Sequence, residues 1–184
     1  MQKNKFLFIP ILISLLLSCS MDYSDAEIAE ELGEDIPDNI IESFSYTSVD
    51  SGQIVFRLYS KKAENYNKKK KTILEEVVFR EYNSKDELVT EGTAEKGLIF
   101  NDSDDAELTG SLIVYSAENE SEISTDYLYW DDSEKTLSGS KDGKVKLLRD
   151  SGTEITGTGF TGDLKTKIFN FERDVHGIYH YEED

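Results

Sequence analysis

Residues 50–59 read Asp50-Ser51-Gly52-Gln53-Ile54-Val55-Phe56-Arg57-Leu58-Tyr59. Ile54, Phe56 and Leu58 fall on one face of an extended chain and Val55, Arg57 and Tyr59 on the other, the alternation of a half-buried strand, and Asp-Ser-Gly ahead of it is a turn. The same grammar continues along the chain. Further β-rich runs cover 73–82, 87–93, 107–115, 122–130, 144–149, 153–160 and 165–175, separated by short clusters of Asn, Asp, Ser and Gly such as Asn83-Ser84-Lys85-Asp86 and Lys141-Asp142-Gly143. Connections that short join antiparallel neighbours, and no helix of convincing length lies between them. Leu108-Thr109-Gly110-Ser111 returns as Leu137-Ser138-Gly139-Ser140, and Glu122-Ile123-Ser124-Thr125 as Glu154-Ile155-Thr156-Gly157. A recurrence at about thirty residues suggests stacked hairpins, each needing its neighbour to cover an apolar face. The chain is therefore read as all-β.

The 184 residues fit one folded domain, and 38% hydrophobic with 11% aromatic content is enough for one packed core. With 38 acidic against 20 basic side chains the formal charge is −18, which sets the whole surface against a nucleic-acid backbone.

Residues 1–18 carry Lys3 and Lys5, then an apolar run from Phe6 to Leu17 interrupted only by Pro10 and Ser14, then a small residue. That run is short for a bilayer span, which needs roughly 20 residues, and normal for a signal peptide. Leu16-Leu17-Ser18-Cys19 looks like a bacterial lipobox, so Cys19 is the expected lipid anchor. Cys19 is the single cysteine, leaving no partner for an internal disulfide. The alternative is an unmodified thiol in an ordinary cleaved signal or an uncleaved N-terminal anchor. Residues 19–38 are acidic and polar with a weak stripe of Ile28, Leu32 and Ile36 interrupted by Gly33, read as a tether; 39–184 form the β domain.

Several spellings of a site fail on their chemistry. Gly157-Thr158-Gly159-Phe160-Thr161-Gly162 matches the dinucleotide-binding fingerprint in letters, but a strand-like run follows where a helix is needed, so a bulge or sharp bend is expected. Asp102, Asp104, Asp105 and Glu107 resemble a calcium loop without its glycine, and Ile113 stands where the closing glutamate belongs. His176 and His180 on a strand would sit about 13 Å apart, too far to share a metal. Lys61-Lys62 and Lys68 to Lys71 concentrate positive charge, either for the phosphates of a membrane surface or as a solvated loop between strands. No nucleophile with a base and no productive carboxylate pair is legible, so no enzymatic activity, cofactor or metal is expected.

From about Tyr46 to Val175 the chain resembles the LptC family, the membrane-anchored periplasmic component of lipopolysaccharide export, related in fold to the bridge protein LptA. The matching features are Asp50-Ser51-Gly52 before Ile54 to Leu58; Glu91-Gly92-Thr93-Ala94 before Leu98-Ile99-Phe100; Leu108-Thr109-Gly110 before Leu112 to Val114; Ile123 to Asp126 before Leu128 and Trp130; and Ile155 to Phe160. The resemblance implies an open antiparallel β-jellyroll with two sheets, whose apolar interior holds the acyl chains of lipopolysaccharide or a related glycolipid. It implies as partners an inner-membrane ABC permease and an LptA-like bridge protein. The implied lipid-facing residues are Ile54, Phe56, Leu58, Leu74, Val78, Leu112, Val114, Leu128, Trp130, Val145 and Leu147. Family members use a transmembrane helix where this chain would use lipid on Cys19, on the periplasmic side of the inner membrane. Ser20 is not the aspartate that retains some lipoproteins there, which leaves the outer membrane open. The alternative to transfer is a surface β-sandwich lipoprotein, an adhesin or structural module with a filled core and no ligand.

Overall fold

The structure is a computed structural model and describes residues 35–163, 165, 166 and 168–179. The chain divides into two units, Met1–Ile36 and Pro37–Asp184; the described part of the second contains twelve strands and no helix. They are β1 (Asn39–Asp50), β2 (Gln53–Tyr66), β3 (Lys71–Tyr82), β4 (Leu88–Phe100), β5 (Ala106–Ser116), β6 (Ser121–Asp131), β7 (Thr136–Gly139), β8 (Lys144–Arg149), β9 (Glu154–Thr158), β10 (Thr161–Asp163), β11 (Ile168–Asn170) and β12 (Arg173–Ile178). All pairings are antiparallel, and β1 to β6 follow one another as a meander. The β1–β2 turn shows why Gly follows Ser51: both residues have positive φ, 52° and 86°, the two-residue turn whose twist matches the strands it joins. At the start of β1, Asp38 donates its N–H to the Asn65 carbonyl (2.8 Å) and accepts the N–H of Asn67 on its carboxylate (2.7 Å).

Each long strand turns its burial over half-way. In β2 the inward positions are Leu58 and Ser60, then Ala63; in β3, Leu74, then Val77; in β4, Gly92 and Ala94, then Gly97; in β6, Ile123 and Thr125, then Leu128. The spacing changes from two to three, which exchanges the faces of a strand. Positive φ at Glu76 (52°), Gly110 (78°) and Ser111 (45°), and register shifts between Thr93 and Lys96 and between Thr109 and Leu112, mark the same line. Bulges bend and twist a strand. The Ser60 hydroxyl shares its proton between the carbonyls of Lys62 (2.5 Å) and Glu75 (3.1 Å), Ser111 donates to Glu95 (2.8 Å), and Lys61 pairs with Glu76. One ladder thereby folds over on itself into two layers that share one core, rather than two separate sheets.

β6 is the fork. Its first half pairs with β8, which leads to β9 and β12; its second half pairs with β7, which leads to β10 and β11. The run 165–175, expected as one strand, is two strands on different wings, because Phe171-Glu172 carries the chain across from β11 to β12. Likewise 153–160 is shorter than expected. It stops at Thr158, where Gly159 at φ 67° turns the chain toward the other wing, as a bend in the glycine-rich stretch requires. Strand β4 runs on to Phe100, beyond the run ending at residue 93, because the bend at Glu95-Lys96 hides its continuity. The two copies of the second repeat flank β8 in matched register, Ile123 opposite Leu147 and Leu147 opposite Ile155.

The acidic tip between β4 and β5 is a fastener. Asp105 accepts the N–H of Asp132 (2.9 Å), the Tyr129 hydroxyl (3.0 Å) and the Ser103 hydroxyl (2.8 Å), tying the tip to the β6–β7 turn. The backbone N–H of Asp132 first, then the Ser103 hydroxyl, hold this carboxyl below the ordinary carboxylate range; desolvation opposes them, and the Tyr129 hydroxyl adds a smaller lowering. A depressed folded pKa gives stability that is complete above the unfolded-state pKa and fades as pH falls through the folded one. Asp105→Asn is expected to flatten the acid side of a pH–stability profile while moving the neutral end less; an unchanged acid slope would contradict it.

Candidate lipid-binding interior

Two apolar rows cross the strands on the inner face. In the first layer, Tyr46, Leu58, Phe79, Gly92, Val114, Ile123, Leu147, Ile155 and Gly177 stand opposite one another in succession. In the second layer the succession is Ile41, Ala63, Leu74, Gly97, Leu108, Leu128 and Gly139. Neither row contains a charge, in a chain that is 32% charged. Glycine recurs where a neighbour needs the volume: a Cβ on Gly92 would lie 2.6 Å from Phe79 Cε1 and 3.0 Å from the Ile113 carbonyl oxygen. The rows end in exposed apolar side chains on β1, Ile41 and Tyr46, while β12 exposes Val175 and Ile178. The core they border is covered by protein: Val77, Leu112, Val145 and Phe160, like Leu74 in the second row, are each only 1% exposed.

Of the residues implied to face lipid, Leu58, Leu74, Leu112, Leu128, Val145 and Leu147 belong to the buried core, and Phe56 and Val114 pack against it half-buried. Ile54 is half-buried beside the β1–β2 turn, opposite Val49. Trp130 is half-buried with its Nε1–H directed at the Asp132 carboxylate (3.3 Å) and the Lys135 ammonium 5.6 Å from its ring centre. Val78 is on the other side of the sheet. The bend at Glu75-Glu76 turns Val77 inward and sets Val78 in the outer row, between Tyr59 and Thr93. The rows also take in Phe79, Ile123 and Ile155, which alternation alone would have found once strand register was known.

The stretch Gly157 to Gly162 serves packing. Phe160 stacks on Phe169 (centroids 6.0 Å apart) and meets Phe171 at a tilt (5.5 Å), and Cβ atoms on Gly157 and Gly162 would fall 2.6 Å and 2.8 Å from those two rings. Among the basic residues, Lys62 pairs with Glu64 (2.5 Å), Lys70 with Asp102 (3.3 Å), and Lys71 lies 5.4 Å from the Tyr66 ring centre. His176 is on β12 opposite Thr156; His180 and Cys19 lie outside the described residues. Among the described residues no group of His, Cys, Asp or Glu is placed to hold a metal ion.

A bent all-β ladder with an apolar inner face is thus established from the residues upward. The family model described as lipopolysaccharide-assembly, LptC-related, matches residues 7–180. This chain belongs to the LptC family. LptC membership makes it a component of lipopolysaccharide assembly. The solved structure of LptH, described as the LptA homologous periplasmic component of the conserved lipopolysaccharide transport device from Pseudomonas aeruginosa, is similar with a TM-score of 0.55 and 13% identity, over 68% of this chain and 95% of that one. At that identity the likeness concerns the fold, the open antiparallel jellyroll. No curated protein matches the chain.

Proposed function

We propose that this chain is a non-catalytic carrier that receives lipopolysaccharide or a related glycolipid from an inner-membrane ABC permease and passes it to an LptA-like bridge protein. The acyl chains lie along the two charge-free rows, and that unbroken succession across both layers is the observation supporting the reading. Burial of each CH₂ contributes about 0.8 kcal/mol, so several chains outweigh the repulsion between an acidic protein and a phosphorylated head group in salt. Because the middle of the rows is covered by the protein's own side chains, the layers part to admit the cargo. The exposed β1 and β12 are where neighbouring jellyrolls add strands. Lipid on Cys19 after cleavage of residues 1–18, with the acidic stretch 19–38 as tether, holds the domain on the periplasmic side of the inner membrane.

Photo-crosslinking side chains at Phe56, Val145 and Val78 test the carrier reading in cells that make lipopolysaccharide. Lipid adducts are expected at Phe56 and Val145 and not at Val78, on the outer face. No adduct at either inner position, or equal yields at all three, would overturn it in favour of a structural lipoprotein with a filled core. For the anchor, Cys19→Ala is expected to release the protein from membranes on washing with high salt, and retention would refute lipid attachment.

A further inference from the structure

The outer face of the β8–β9–β12 wing carries a cavity of about 810 Å³, within the roughly 300–1,000 Å³ of small-molecule sites. Along it runs a straight cross-strand row: Ile113 opposite Ser124, Ser124 opposite Lys146, Lys146 opposite Thr156, and Thr156 opposite His176. Each is one residue removed from the inner row of Val114, Ile123, Leu147, Ile155 and Gly177, so these strands present hydrocarbon on one face and this polar row on the other. On β12 the register shifts between Arg173 and His176, and Asp174 takes φ 53°, a bulge of the kind that re-aims side chains beside functional sites.

The lining chooses among ligands. Lys144 and Lys146 are balanced by Asp126 and Asp174, and Lys146 is further paired with Glu154 at 2.8 Å. A phosphate would meet carboxylates here and a chain of charge −18 around them, so nothing favours an anion. A sugar ring suits the set: its hydroxyls donate to carboxylates and to the Ser124 oxygen, whose own proton goes to Glu122 (3.2 Å), accept from ammonium groups, and do both with Thr156. Ile113, 47% exposed, offers apolar surface to the ring's C–H face.

We propose that this cavity binds uncharged sugar residues, and that in the glycolipid carrier it takes part of the saccharide while the acyl chains occupy the opposite face of the same strands. The source of the sugar rests on the carrier reading; its chemistry does not, since a lipid-free oligosaccharide offers the same hydroxyls.

Backbone amide NMR of the isotopically labelled full chain, titrated separately with deacylated and dephosphorylated lipopolysaccharide oligosaccharide, with intact lipopolysaccharide micelles and with inorganic phosphate, is the test. Both saccharide probes are expected to shift the amides of Ser124, Lys146, Thr156 and His176, and phosphate is not. Thr156→Trp, which fills the cavity, and Lys146→Met, which keeps its bulk, are each expected to weaken oligosaccharide binding at least tenfold without changing the circular dichroism spectrum. Silence of these amides toward both saccharide probes, or equal shifts with phosphate, would overturn the proposal. Shifts with the free oligosaccharide but no lipid adduct at Phe56 or Val145 would uphold the sugar site and sink the carrier reading. Adducts with a silent cavity would do the reverse.

Discussion

Phe160→Ala is expected to lower the unfolding free energy by about 3–5 kcal/mol, the range for removing a fully buried ring from a core that relaxes only in part. Phe160 is 1% exposed, between Phe169 and Phe171, where the chain leaves β9 on one wing for β10 on the other, and its carbonyl accepts the Gly139 N–H (2.9 Å). The substitution removes the shared partner of two aromatic contacts, each worth about 0.5–1.5 kcal/mol beyond burial. It also leaves a void flanked by Gly139 and Gly162, which have no side chains to fill it. Phe160→Leu keeps most of the volume and is expected to cost less than half as much. Urea denaturation followed by tryptophan and tyrosine fluorescence measures both; a loss below about 1 kcal/mol for the alanine variant would mean the site collapses freely.

Gly92→Val is the second large effect expected, from overpacking. The first added carbon already meets the Phe79 ring and the Ile113 carbonyl, and the branching methyls have no space left inside. Forcing extra volume into a packed interior costs typically about 1–3 kcal/mol, and backbone on one side of the clash argues for the upper end. The cause is checkable by coupling. Phe79→Leu alone opens a small void and destabilises, but combined with Gly92→Ala it should recover stability relative to the sum of the single changes. Simple additivity would show that the ring is not what excludes a side chain at residue 92. Because Gly92 is in the middle of the first-layer row, the valine variant is also expected to lose lipid adducts at Phe56, which sits beside Phe79 with ring centroids 6.4 Å apart.

Strand identity was legible because alternation is local: Ile54, Phe56 and Leu58 announce β2 without any knowledge of partners. Six residues read as lining the interior are in its buried core for the same reason. Val78 was misplaced because period two was carried from Leu74 through Glu75-Glu76, where the strand bends and the faces exchange. A trace of it is in the sequence, since a pair of consecutive polar or small residues stands mid-strand at Lys61-Lys62, Glu75-Glu76, Glu95-Lys96 and Gly110-Ser111 in four successive strands. What residue order alone could not reveal was that these pairs align across the ladder. The outer cavity was equally out of reach, because its row joins five strands spread from Ile113 to His176 and exists only once their register is set.

The mid-strand bend has a bearing on how this domain comes apart. Since β2 to β6 each thread both walls, neither wall can melt while the other persists, and amide exchange in the two halves of a strand should share one global opening energy. The wings beyond β6 are outside that all-or-none unit, each held to it through one strand. They are tied to each other as well, through Phe160, which is packed against Phe169 and Phe171 where the chain crosses from one wing to the other, so parting the wings draws that ring out of the core.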